Sequence, residues 1–422
     1  MSWLRVTGGR RLAGRVAVGG NKNAALPLLA ACLLTDEPCV LENVPRIRDV
    51  EVMLELLAGL GARIARPDAA TVTIDCSAVR GEEPDPVGVG RLRGSLLLVG
   101  PLLARRGRAR LAPPGGDFPA RRSIATHVRA LEALGARVRS DGDAHVFEAP
   151  DGLRGASMYL EEASVTGTET ALLGAAAARG RTVIRHAACE PHVVELCRFL
   201  RAMGAGVEGE GTPTIRIEGA ARLRGARHRL EGDYIEAGSW AVAAAVTGGS
   251  LEITGARAED VEVFAVVLQA MGVACAFDDA RLVVETRGPL RAVRRITTGL
   301  WPGFPSDLVS LVTVLATQAE GRTLVHDWMY ELRLFALEQL SGMRADLFLC
   351  DPHRIIVTGP TRLRGRRLDT RDLRSGMALI AAALAAEGES VLGPLETVER
   401  GYAAVVERLT SLGAQVERIA ER

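Results

Sequence analysis

The stretch Leu131-Glu-Ala-Leu-Gly-Ala136 decides the fold, because it recurs. Leu-x-x-Leu/Met-Gly-Ala or a near variant returns at Leu57–Ala62, Leu200–Ala205, Leu268–Val273 and Leu409–Ala414. A degenerate copy, Leu337-Glu-Gln-Leu-Ser-Gly342, fills the remaining gap. The glycines Gly61, Gly135, Gly204, Gly272, Gly342 and Gly413 are 74, 69, 68, 70 and 71 residues apart. A second marker, a Leu-x-Gly-like turn between short strands, begins at Leu12, Val79, Leu153, Leu223, Leu290 and Leu363, at intervals of 67, 74, 70, 67 and 73. Two markers sharing one beat define an internal repeat of six copies.

Each copy reads alike. Strand, turn and strand lead into a polar stretch, then a helix that is apolar all round: Ala24–Leu34, Leu96–Ala104, Ala171–Ala178, Trp240–Val246, Leu308–Ala316 and Met377–Ala386. A further strand and an amphipathic helix end at the Leu-x-x-Leu-Gly marker. Helices apolar on every side are buried, and one-sided helices lie on a surface. The expected fold class is therefore α/β, a β/α sandwich repeated three times in each of two domains. The first copy starts too near the amino terminus to close by itself. Val391, Leu392, Val416 and Ile419 are expected to pair with Leu4 and Val6. That places residues 22–231 in one three-repeat domain and residues 1–21 with 232–422 in the other.

Composition narrows the function. Hydrophobic residues make up 48% of 422, ample for two cores, and 52 basic against 51 acidic residues leave a net charge of +1. Such a balance gives no electrostatic case for nucleic acid or a membrane surface. Four Trp and four Tyr are too few for base-stacking platforms. Seven scattered cysteines without a C-x-x-C, and no signal-peptide pattern at Met1-Ser-Trp-Leu-Arg, fit reduced thiols in a cytoplasmic protein. No apolar run reaches the ~18–20 residues of a membrane helix.

The polar stretches carry the chemistry. In Val18-Gly-Gly-Asn-Lys-Asn-Ala-Ala-Leu-Pro27, a strand runs through two glycines to Lys22 and Asn23, and an apolar helix opens at Ala24. Free N–H donors at a helix start, the positive end of its dipole and a lysine suit a phosphate. A plain helix start with a solvated lysine fits the same residues. Equivalent stretches are Arg91–Ser95, Ser164–Glu169, Asp233–Gly238, Pro302–Asp307 and Asp372–Gly376. If three such ends converge in each domain, the cleft between the domains holds many free donors with Lys22, Arg93 and Arg374, a site for a multiply charged anion. Pro113-Pro-Gly-Gly-Asp-Phe-Pro-Ala-Arg-Arg-Ser123 falls outside the pattern and reads as a lid, or as a strand-to-helix linker.

These residues resemble the enolpyruvyl transferases over essentially the whole chain. The resemblance lies in Gly-Asn-Lys-Asn-Ala-Ala-Leu-Pro27, Asn43-Val-Pro-x-Ile-x-Asp49, Arg93-Gly-Ser, Pro302-Gly-Phe-Pro-Ser-Asp307, Asp372-Leu-Arg-Ser and Glu399-Arg-Gly-Tyr402. It implies a two-domain inside-out α/β barrel of six β/α repeats with the active site between the domains. The implied reaction moves the enolpyruvyl group of phosphoenolpyruvate onto the 3-hydroxyl of UDP-N-acetylglucosamine, releasing phosphate, by addition and elimination without metal or organic cofactor. By matching positions, Lys22, Arg93 and Arg122 hold the phosphate and Arg374 the carboxylate. Asp307 takes the sugar proton, Asn23 and Glu236 orient sugar or intermediate, and Asp233 is a further substrate-binding residue. Ser164, Val165, Gly167 and Met329 meet the nucleotide sugar. A monomer or weak oligomer is expected.

The lid departs from the family. Most members have Gly-Gly-Cys where this chain has Gly115-Gly-Asp117, and the residues between Arg122 and His127 also differ. Members with that aspartate are active and resist fosfomycin, which alkylates the cysteine. Asp117 is then the expected acid that protonates the methylene carbon. The altered lid leaves open a related transferase using another nucleotide acceptor. A non-catalytic nucleotide-sugar-binding homologue is the other alternative; retention of Asp307 speaks against it.

A free aspartate, with a pKa near 3.9, is ionised at neutral pH, and neighbouring cations would hold it lower. To donate, Asp117 must be pushed up toward the working pH. The negative charge of bound phosphoenolpyruvate and exclusion of water would supply that push. Asp117→Asn should therefore abolish turnover while equilibrium binding of both substrates, followed by calorimetry, stays intact; a fully active variant would refute the acid role.

Overall fold

The computed structural model describes residues 2–115, 123–331 and 333–420. The described residues form two compact units: residues 20–115 and 123–231 build the amino-terminal unit, and residues 2–19 join 232–331 and 333–420 in the carboxy-terminal unit.

Each unit places three apolar helices inside and three sheets outside. In the carboxy-terminal unit the helices Tyr234–Val246, Val309–Thr317 and Leu373–Ala385 pack against one another. Nearly every residue in them is buried, including Trp240, Leu311 and Leu379. In the amino-terminal unit the same role falls to Lys22–Ala31, Val99–Arg106 with its leading 3-10 turn Arg93–Leu98, and Val165–Ala175. Among the described residues the six sheets, three to a unit, are separate, five of four strands and one of three, with no ladder running from one to the next.

The opening strand Ser2–Thr7 completes the last repeat. It lies between Glu389–Gly393 and Gln415–Ala420, antiparallel to both, with Leu4 opposite Leu392, Val6 opposite Val416 and Trp3 opposite Ile419. Pairing of the chain ends, expected because the first repeat cannot close by itself, is what forms.

The two sequence markers are bonded to each other in every repeat. The residue after each marker leucine or valine donates its N–H to the carbonyl just before the helix-ending glycine position. The pairs are Ala13 to Leu412, Arg80 to Leu60, Arg154 to Leu134, Arg224 to Met203, Arg291 to Met271 and Arg364 to Met343. Leu12, Val79, Leu153, Leu223, Leu290 and Leu363 are all buried beside this bond. The residue beyond the glycine turns back to close the helix, as Ala136 does on Leu131. That closure needs a left-handed residue, which glycine supplies without strain.

This geometry corrects one copy of the repeat. In the fifth repeat the left-handed position belongs to Arg344 (φ 74°), within Leu340-Ser-Gly-Met343-Arg344-Ala345, and not to Gly342. Ala345 donates to Leu340, and Arg364 to Met343, as in the other copies. The repeat survives there with an arginine in the glycine's place.

A second correction concerns the polar stretches. Read from the sequence as leading into the helices, most of them are the first helical turns themselves. Asn21, Ser164, Asp233 and Asp372 are side-chain N-caps, and each starts its helix at the next residue. Of the seven cysteines, Cys32, Cys39, Cys76 and Cys197 are buried and Cys350 is exposed, so the last is not core. Among the described residues no helix is long and apolar enough to cross a membrane.

A non-glycine residue in left-handed backbone carries about 1–2 kcal/mol of strain. Arg344→Gly should raise unfolding stability by about 1 kcal/mol. Gly135→Ala, at φ 96° with nothing near the new methyl, should lower it by a similar amount. Urea denaturation of the two variants checks both signs.

Candidate functional site

In the carboxy-terminal unit three helix starts converge on Asp307. The turn Ser306–Leu308 leads into the central helix and presents the Asp307 carboxylate. One oxygen lies 2.8 Å from Arg374, in the first turn of Leu373–Ala385. The other lies 3.1 Å from Arg333. Arg374 is only 7% exposed and reaches the Tyr402 hydroxyl at 3.5 Å. Tyr402 in turn bonds Ser239 of the third helix at 2.7 Å. Burial works against the Arg374 charge, but Asp307, Tyr402 and Asp233 together more than offset that and hold its pKa above the ordinary arginine value. Arg333 is governed by the same two effects and also stacks over the Tyr330 ring, 4.2 Å from its centre.

Asp233 and Glu236 sit at the start of the third helix. Asp233 accepts from the backbone N–H groups of Ile235 (2.9 Å) and Glu236 (3.1 Å). The Glu236 carboxylate is buried and engaged by the Gly19 N–H at 2.8 Å, the Trp240 indole at 3.3 Å, and Arg408. Burial pushes its pKa up; Arg408 opposes that. Met329 donates its backbone N–H to Asp327.

In the amino-terminal unit Lys22 opens its helix, 9% exposed, with its ammonium 2.7 Å from Asp49. The Asn21 side chain accepts from the N–H groups of Asn23 (2.8 Å) and Ala24 (3.4 Å). Arg93 donates to the Ser123 carbonyl at 2.9 Å. Ser164 caps the helix carrying Val165 and Gly167 by accepting from the Gly167 N–H. His127 locks to that helix from the side, with Nδ1 2.8 Å from the Thr170 hydroxyl and Nε2 3.2 Å from that of Thr166.

The expected crowd of free helix-terminal donors is thus corrected. At Asn21, Ser164, Asp233 and Asp372 a side chain already takes one or two of them. The cationic side chains beside these helix starts are Lys22 and Arg93 in the amino-terminal unit and Arg333 and Arg374 in the carboxy-terminal unit. Asp117 and Arg122 lie outside the described residues. Arg333 and the carboxylate Asp49 were not singled out from the sequence as site groups. Arg333 lies in the most degenerate repeat, where spacing gives no warning, whereas Asp49 stood in a motif but without a partner to give it a role.

Comparison with known proteins identifies the family of the chain. The family described as EPSP synthase (3-phosphoshikimate 1-carboxyvinyltransferase) matches residues 6–409. A UDP-N-acetylglucosamine 1-carboxyvinyltransferase of Bradyrhizobium diazoefficiens is 45% identical over 99% of this chain and 98% of its own. One from Treponema denticola is 41% identical over 98% of each. The structure of the enolpyruvyl transferase NikO from Streptomyces tendae matches with a TM-score of 0.91 at 27% identity, covering 100% of this chain and 99% of its own. An EPSP synthase of Acinetobacter baumannii, 19% identical, shares the fold with a TM-score of 0.75 over 100% of both chains.

His127 gives the amino-terminal cluster a pH signature. Burial, helped by the charge of Arg93, lowers its pKa to about 3. The unfolded chain takes up this proton below about pH 6.5, but the folded chain does not until far lower pH. Stability is therefore lost as pH falls through that window. Between pH 7 and pH 5 the native protein should lose about 2 kcal/mol more than His127→Gln. Parallel denaturation curves at the two pH values test this.

Proposed function

Since the chain belongs to the EPSP synthase family of carboxyvinyl transferases, we propose that it moves the enolpyruvyl group of phosphoenolpyruvate onto the 3-hydroxyl of UDP-N-acetylglucosamine. The acceptor is inferred from the relatives at 41–45% identity, whose names carry it. The observation that carries the chemistry is Asp307, ion-paired on one oxygen with Arg374 and on the other with Arg333. Two guanidiniums favour the ionised carboxylate, the form a general base must have before it takes a proton.

In this reading Asp307 accepts the hydroxyl proton as the sugar oxygen attacks C2 of phosphoenolpyruvate. The methylene carbon gains a proton from Asp117, giving a tetrahedral intermediate. Loss of a proton from the resulting methyl group and departure of phosphate restore the double bond. Lys22, Arg93 and Arg122 neutralise the phosphate, and Arg374 with Arg333 takes the substrate carboxylate as Asp307 becomes neutral. Asn23, Asp233 and Glu236 belong to the frame around the sugar, and Ser164, Val165, Gly167 and Met329 to the nucleotide side. The reaction is the first committed step of peptidoglycan synthesis, in the cytoplasm. An aspartate at position 117 leaves fosfomycin no thiol to alkylate.

Phosphate release from phosphoenolpyruvate should depend on UDP-N-acetylglucosamine and be unchanged by fosfomycin. Release that stops with fosfomycin would overturn the role of Asp117. Release with another nucleotide but not with UDP-N-acetylglucosamine would overturn the acceptor.

A further inference from the structure

We propose that Asp327 is a positioning residue that holds the base Asp307 and the backbone of Met329 in one frame. This rests on the reading of Asp307 as the base. Asp327 follows the strand Gly321–His326 and is fully buried. Its own backbone is fixed at both ends: its N–H donates to the His353 carbonyl at 2.8 Å, and its carbonyl accepts from His353 Nδ1 at 2.8 Å.

The carboxylate collects three donors from three different segments. Oδ1 accepts from the Thr298 hydroxyl at 2.8 Å and from the Met329 N–H at 3.2 Å. Oδ2 accepts from the Ser306 hydroxyl at 2.7 Å. A hydroxyl has one hydrogen, so Ser306, having given it to Asp327, can only accept elsewhere. It accepts from Arg333 Nη1 at 2.8 Å, and that same nitrogen reaches Asp307 at 3.1 Å. Asp327 thereby sets the polarity of the row Asp327, Ser306, Arg333, Asp307. With Ser306 turned the other way, its hydrogen would oppose the guanidinium and Arg333 would lose one of its two anchors beside the base.

Only an ionised carboxylate meets all three donors at once. An asparagine is nearly the same size, but its NH2 group must face Ser306 or the Thr298 and Met329 side. Facing Ser306, it reverses the row. Facing the other side, it opposes the Met329 N–H, which cannot turn round.

The test compares Asp327→Asn, Ser306→Ala and Thr298→Val with the native enzyme, using steady-state kinetics and thermal unfolding. Misplacing a catalytic group by a fraction of its reach costs about 10- to 100-fold. Asp327→Asn and Ser306→Ala are each expected to lower kcat by about that factor and, because Arg333 also faces the substrate carboxylate, to raise KM for phosphoenolpyruvate. Their double variant should be no worse than the poorer single, since both cut one row. Thr298→Val removes a bond to the same buried carboxylate on the far side from the base; it should lower Tm and leave kcat as it was. A purely structural role predicts otherwise, and either wild-type kcat in Asp327→Asn at a lowered Tm, or equal loss of kcat in Thr298→Val, overturns the proposal. If Asp327→Asn does not fold, Ser306→Ala decides by the same kcat criterion. Asp307→Asn separates the two levels. If it keeps turnover, the base reading fails and the proposal falls with it. If it is inactive while Asp327→Asn and Ser306→Ala are fully active, the positioning role alone fails.

Discussion

A helix without a polar side cannot be left in water, and that constraint shapes both units. Among the described residues each unit has three inner helices; five of the six are of this kind, and the sixth, Val99–Arg106, is apolar until Arg105 and Arg106 end it. Packing three together buries their inner faces, and the sheets with their amphipathic helices cover the rest. Covering does not extend to the helix starts, which must emerge from the core somewhere. In the carboxy-terminal unit they emerge at one place, where Asp307, Arg374 and Ser239 meet through Tyr402. A packing requirement thus gathers residues far apart in sequence, and those residues are the polar ones.

The site follows from the same economy of partners. Buried charges are tolerated when they are paired and hydrogen-bonded. Lys22 has Asp49, Arg374 and Arg333 share Asp307, and Glu236 has Arg408. These pairs are weak grounds for stability, because desolvation offsets much of their attraction. Their value lies in exchange. An incoming phosphate or carboxylate can take over a cation whose present partner is another carboxylate, with little change in net charge. In the proposed function Asp307 is the clearest case: two arginines share its carboxylate, and a substrate anion would engage them in its place.

Much of this was legible in the sequence. The two markers kept one beat because each repeat uses one to bond the other, as Arg154 does to Leu134. The apolar helices could be read from hydrophobic pattern alone, and the pairing of the chain ends from a first repeat that cannot close by itself. Three things could not. Arg344 occupies a glycine's left-handed place, so counting glycines misplaced the fifth marker by two residues. Capping residues begin their helices inside stretches that look like loops, because a side-chain acceptor at Asp372 or Ser164 is enough to start the turn. Arg333 and Asp327 gain their roles only from tertiary contact, and a sequence without that contact shows an arginine and an aspartate among many.

The most direct measurement is mass spectrometry of the acceptor after incubation with phosphoenolpyruvate. The account predicts UDP-N-acetylglucosamine carrying one enolpyruvyl group as an ether at the 3-oxygen, formed in step with phosphate. Unchanged UDP-N-acetylglucosamine beside a modified nucleotide of another kind, or phosphate released with no modified acceptor at all, would contradict it.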